Sequence, residues 1–255
     1  MHIQQRREFA FLILAGLFLG TMGMLNILGV TRFLYLGSIG SMPLIVAVGA
    51  LPYPLTFLCT DLISEIWGES KAGQLVWIGF IVNCWIILIL WLGGISPGLD
   101  GFSGFQGLPL ADTTSPMPTF YEIRRLAFGS AGASMVAYLT AQFIDVRLFH
   151  YWKNLTKGEA LWLRNNGSTL ISQLVDTTAV VLISHFTAHI LPIDVDQPLL
   201  PQLGTYIWSG YLFKGLIALA DTIPFILMTG WLRCWLEVPG IGAEIPTDDL
   251  SIVET

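Results

Sequence analysis

The sequence predicts an all-α polytopic membrane protein, a bundle of six transmembrane helices with both termini on the cytoplasmic side, and three observations carry that reading. The chain is 54% hydrophobic and only 12% charged, where soluble domains carry roughly 25% charged residues. Its apolar runs reach the ~20 residues needed to cross a hydrocarbon core. Its lysines and arginines collect in alternate connections, as they do on the cytoplasmic side of membranes.

The spans follow in order. Residues 9–28 open the chain after Arg6 and Arg7. A twin arginine before an apolar run resembles an export signal, but no A-x-A cleavage site follows, so the run is read as the first span. Gly16 and Gly20 within it form a GxxxG pair suited to close helix contact, by default inside one chain and otherwise at a homodimer seam. The second and third spans cover 41–62 and 72–93. Residues 94–118 are rich in glycine and proline, contain no lysine or arginine, and predict an external loop with Phe102 and Phe105 near the interface. The fourth span, 120–147, opens at Arg124 and Arg125, which suit the interface or a cavity mouth. Arg147, Lys153, Lys157 and Arg164 crowd the next connection and mark it as cytoplasmic, so the sequons at Asn154 and Asn166 are chance matches. The fifth and sixth spans cover 167–190 and 205–235. Residues 1–236 therefore read as one six-span transmembrane domain, and 237–255 as an acidic, flexible cytoplasmic tail.

The net charge of −6 arises largely in that tail and points to no acidic partner; no nucleic acid is expected. Cys59, Cys84 and Cys234 lack metal or redox spacing, and His185 with His189 lack further ligands, so no metal and no cofactor is expected. No GxxxxGK[ST] motif gives the chain an ATP site.

Ionisable groups inside a bilayer are costly, about 2.5–3.5 kcal/mol each at a helix centre, and are functional candidates by default. The fourth span carries Gln142 and Asp145, the fifth Gln173 and Asp176. Both pairs are Gln-x-x-Asp, which sets the two side chains on one helix face. Running in opposite senses, the motifs make a local pseudo-twofold and give the bundle some inverted-repeat character. Lys214 on the sixth span lies at a matching depth, so an Asp176–Lys214 pair is feasible. Asp61 and Glu65 share a face at the end of the second span, where solvated carboxylates are the bland alternative.

The stretches "PLTFLCTDLISEIWG" (54–68), "DVRLFHYWKNLTKGEALWLRNNGSTLISQLVDT" (145–177) and "YLFKGLIALADTIPF" (211–225) together resemble the queuosine-precursor transporter family, once grouped as vitamin-uptake transporters. The external loop and the acidic tail match nothing associated with that family. The resemblance implies import of a 7-deazaguanine across the bacterial inner membrane: 7-cyano-7-deazaguanine, 7-aminomethyl-7-deazaguanine or queuine, salvaged for a modified base in tRNA. A carboxylate can accept the paired N–H groups of a guanine-like edge while an amide bonds its carbonyl, which a Gln-x-x-Asp face supplies. The substrate site is accordingly expected at Asp145, Asp176, Gln142, Gln173 and Lys214, with Asp61, Glu65, Arg164 and Asn165 at its cytoplasmic mouth. Trp67, Tyr138, Phe143, Trp162 and Phe213 are candidate aromatic walls. Proton coupling and facilitated diffusion both remain open. Two further readings are a substrate-binding subunit of an ATP-driven vitamin importer, whose small-residue AxxxA face the first span lacks, and an intramembrane aspartyl protease using Asp145 and Asp176, whose contexts "IDVR" and "VDTT" lack a protease motif.

Overall fold

The computed structural model describes residues 2–28, 33–39, 42–96, 119–157, 159–188, 191, 193–194, 196–238 and 243–245. Six helices dominate: α1 (Ile3–Leu28), α2 (Tyr53–Trp67), α3 (Glu69–Ile95), α4 (Thr119–Leu155), α5 (Leu161–Ile183, continued by a π turn over Ser184–Ala188) and α6 (Leu199–Trp235). Four of them contain stretches long and apolar enough by themselves to cross a membrane: Ile3–Leu25, Glu69–Ile95, Leu161–Phe186 and Leu199–Trp235. The external loop beyond Ser96, His189 and the tail beyond Ile245 lie outside the described residues.

The outside is apolar and the inside carries many polar groups beside an apolar core, unlike a water-soluble bundle. α3 turns Trp77, Ile81, Trp85 and Trp91 outward, and α6 turns Leu216, Ile223, Leu227 and Trp231 outward, all exposed. Buried instead are Asp61, Glu65, Gln142, Asp145, Arg164, Gln173 and Asp176. An apolar core of Phe18, Trp67, Phe149 and Phe225 ties α1, α2, α4 and α6 together. α4 and α5 share the most extensive interface, followed by α5 with α6 and α3 with α4.

The expected second span is corrected. Residues 42–50 do not begin an α-helix: β1 (Phe33–Ile39) and β2 (Met42–Ala47) form an antiparallel hairpin, followed by a 3₁₀ turn at Val48–Ala50. The all-α expectation holds for the rest. The β-branched run Ile45, Val46, Val48 favours extended backbone, and Pro43, Pro52 and Gly49 disfavour helix. What remains of the span is the 15-residue α2, about 22 Å long at 1.5 Å per residue. All but Pro54, Leu55 and Leu58 of its residues are buried, so protein encloses it rather than lipid. That enclosure is what permits short and irregular backbone at membrane depth.

Gly68 alone joins α2 to α3, at φ 86° and ψ 174°, a region essentially reserved for glycine. A Cβ there would also run into the Glu244 carboxylate. Gly68→Ala is expected to cost about 1–3 kcal/mol, measured as a lower midpoint of thermal unfolding in detergent.

Both ends of the described chain meet on one face. Arg6 and Arg7 donate to the carbonyls of Trp235 (3.5 Å) and Leu236 (3.3 Å). The tail is not solvated throughout, contrary to expectation: Val238 and Ile245 are buried, Ile245 N–H donates to the Ile66 carbonyl at 2.8 Å, and Lys153 pairs with Glu244 at 2.7 Å. Gly16 and Gly20 are also corrected as packing residues within the chain, since both lie on the exposed side of α1 with open space beyond them.

Candidate functional site

α5 provides the axis of the polar interior. Arg164, Ser168, Ser172 and Asp176 recur every four residues, with Asn165, Thr169 and Gln173 beside them, and all are buried. A four-residue recurrence stacks side chains on one face, here for about 18 Å along the helix. α2, α4 and α6 each contribute charged groups to that stripe.

Its lowest level, nearest the chain ends, is an ion triad. Arg164 donates both terminal nitrogens to Glu65, at 2.6 and 3.4 Å, and Arg233 donates to the other side of Glu65 at 2.5 Å. Arg164 also lies 5.6 Å above the Phe149 ring, and Arg233 donates to the Ala243 carbonyl at 3.2 Å. Glu65 is therefore a fully buried counter-ion rather than a solvated helix-end carboxylate.

The middle level joins α2, α4 and α5. Asp61 and Asp145 come together here, each with one carboxylate oxygen that has no hydrogen-bond partner among the described residues. Thr169 donates to Asp61 at 3.4 Å and Ser172 to Asp145 at 2.9 Å. Thr60 donates to the Gln142 carbonyl oxygen at 3.4 Å. At the far level, Lys214 donates to Asp176 at 2.6 Å and stands 4.4 Å above the Tyr53 ring. The depth match expected of that pair is met.

A crevice opens beside the middle level, lined by Phe57, Asp61, Asn165, Thr169, Gln173 and Asp221. Its free volume is about 10 Å³, room for about one water molecule; the conformation is closed to a ring. Of the nine expected site residues, Asp61, Asn165 and Gln173 line the crevice. Asp145 and Gln142 stand behind Asp61, Glu65 and Arg164 lie below, and Asp176 with Lys214 closes on itself above.

Several expectations change. Asp145 and Asp176 form no dyad, because each is engaged by a different group. The two Gln-x-x-Asp motifs enter different networks, one through α2 and the other through α6. None of the five candidate aromatics lines the crevice: Tyr138 donates to the Val76 carbonyl (3.4 Å), Phe143 packs at a tilt against Trp77, Trp67 is in the core, Trp162 is exposed and Phe213 faces elsewhere. Phe57 takes that place. Thr169, Ser172, Asp221 and Arg233 lie outside the nine expected site residues; the hydroxyls are legible as continuations of the four-residue stripe and Asp221 as an ionisable group within the sixth span, while Arg233 has no local signal. Among the described residues no group of histidine, cysteine and carboxylate side chains is arranged to hold a metal.

A family model described as "Putative vitamin uptake transporter" matches residues 47–228. A "Probable queuosine precursor transporter" of Bacillus subtilis (strain 168) is 27% identical over 148 residues, covering 56% of this chain and 59% of that protein. Another protein of the same description, from Haemophilus influenzae, is 26% identical over 129 residues, covering 51% of this chain and 47% of its own length. The matches thus span about half the length of these curated relatives. No solved structure matches the chain.

Proposed function

The chain belongs to the "Putative vitamin uptake transporter" family, and from that premise we propose that it carries a 7-deazaguanine queuosine precursor across the bacterial inner membrane, for salvage into tRNA. The observation that carries the substrate class is the crevice, where two carboxylates, Asp61 and Asp221, stand with two amides, Asn165 and Gln173. A carboxylate accepts the paired N–H donors of a guanine-like edge, and an amide N–H bonds the ring carbonyl. Phe57 offers a ring face beside them. Names of the relatives favour the same class, and a transporter reading leaves no role for an enzyme.

Entry of a ring requires the closed crevice to widen, which means parting α2 and α6 from α5. The Asp176–Lys214 pair above and the Glu65 triad below are the contacts that such movement would rearrange. Six crossings with both ends cytoplasmic belong to this reading; contacts of Arg6 and Arg7 with Trp235 and Leu236, near Lys153 and Arg233, support it.

The test is thermal unfolding of the detergent-solubilised chain with 7-cyano-7-deazaguanine, 7-aminomethyl-7-deazaguanine, queuine and adenine. A ligand at 100 times its Kd stabilises by about 2.7 kcal/mol. At least one deazaguanine should raise the midpoint, adenine should not, and Gln173→Ala should weaken the response. Equal midpoints with and without every deazaguanine would defeat the substrate assignment.

A further inference from the structure

We propose that the Asp61–Asp145 pair is a proton-binding site holding one shared proton, and that this proton is the ion whose movement is coupled to cargo. The geometry demands a donor. Asp61 and Asp145 are buried, 2% and 0% exposed, and Thr169 and Ser172, about one turn apart on α5, hold them side by side. Two ionised carboxylates have only acceptors to offer one another; a protonated one has an O–H to donate. Asp61 Oδ1 and Asp145 Oδ2 have no donor among the described residues, while Thr169 and Ser172 supply the other two oxygens. The unpaired oxygens are where the missing hydrogen belongs.

The charged neighbours on every packed element agree. On α2, Glu65 is held by Arg164 of α5 and Arg233 of α6. On α5, Asp176 is held by Lys214 of α6. Asp221 of α6 faces Asp61 across the crevice and adds negative charge. α1 from Ala10 to Met22 and α3 from Ala72 to Ile95 bring no charged side chain. The triad carries one surplus positive charge and the lysine pair none. With Asp61, Asp145 and Asp221 all ionised, this interior would be negative by two; a single proton on the pair halves that surplus. Like charges in contact cannot both ionise cheaply, and the proton belongs to the pair rather than to either residue.

Coupling follows from shared occupancy. Asp61 faces the crevice on one side and Asp145 on the other, so a cargo bonding Asp61 and a proton bridging Asp61 to Asp145 draw on the same carboxyl group. Two ligands sharing one group necessarily influence each other's affinity. A bridging proton takes the acceptor that the cargo's N–H groups need, so H⁺ leaves the pair as cargo binds and moves opposite to it, and no other ion is needed. The proton site stands on its own geometry, whereas its use in transport rests on the transporter reading above.

Two measurements test it, both on the full chain in phosphatidylethanolamine/phosphatidylglycerol vesicles. Infrared difference spectra without cargo should show the carbonyl band of a protonated aspartic acid at pH 7. It should disappear in Asp61→Asn and Asp145→Asn, where the new amide donates to the surviving carboxylate, and shift in Ser172→Ala, which keeps the pair but removes one hydroxyl. No such band in the wild type, or a band indifferent to all three variants, overturns the site; the Ser172→Ala shift decides the matter should the asparagine variants fail to fold. With the membrane potential clamped at zero, a one-unit inside-acidic gradient supports about tenfold accumulation of 7-cyano-7-deazaguanine by one-for-one exchange with protons. Asp61→Asn and Asp145→Asn should lose that accumulation. Uptake that ignores the gradient overturns the coupling, while a normal infrared band with no uptake at all overturns the transport reading and leaves the proton site standing.

Discussion

Replacing Glu65 by glutamine should destabilise the protein by about 3–5 kcal/mol, the cost of removing one partner from a buried ion cluster. The carboxylate accepts from Arg164 and Arg233 together, and its neutral replacement would leave two buried guanidiniums facing one another across an amide. α2, α5 and α6 meet at this point, so the loss should appear as a much lower unfolding midpoint in detergent and poor recovery from membranes. Glu65→Asp keeps the charge at a shorter reach and should lose less. An unchanged midpoint for Glu65→Gln would mean that the triad contributes nothing to holding the three helices.

Asp176→Ala should abolish uptake and destabilise the fold by a comparable amount, because Lys214 would be left charged with no carboxylate to accept its proton donors. The double variant Asp176→Ala/Lys214→Ala removes both charges and should recover most of the stability, since neighbouring substitutions in one ion pair are strongly non-additive. Uptake should remain absent from the double variant if Asp176 engages the cargo once the crevice widens. Restored uptake would reduce the pair to a helix clamp. Uptake is read with labelled 7-cyano-7-deazaguanine in cells, and stability by thermal unfolding of the purified variants.

The first, third, fifth and sixth spans were legible because apolar runs of membrane length have few alternative readings, and the hairpin was not because residues 42–47 are as hydropathic as a span. There the punctuation by Pro43, Gly49 and Pro52 outweighed hydropathy. In the site, what repeats along one helix could be read: the α5 stripe, and the matching depths of Asp176 and Lys214. What depends on three helices converging could not. Nothing near Asp61 announces Asp145 as its neighbour, and Arg233 lies 168 residues from Glu65. The size of the crevice and the turning of Tyr138 and Phe143 away from it are likewise products of packing.

The enclosure of α2 has a consequence for how the surrounding lipid acts. Acyl chains grip α3 and α6 along their outward tryptophans and leucines, and thinner or thicker bilayers tilt such helices at a cost of fractions of a kcal/mol per Å. The helix bearing Asp61 and Glu65 offers those chains almost no surface. A change in lipid length therefore reaches these two carboxylates only second-hand, through the side chains of the helices that wrap them.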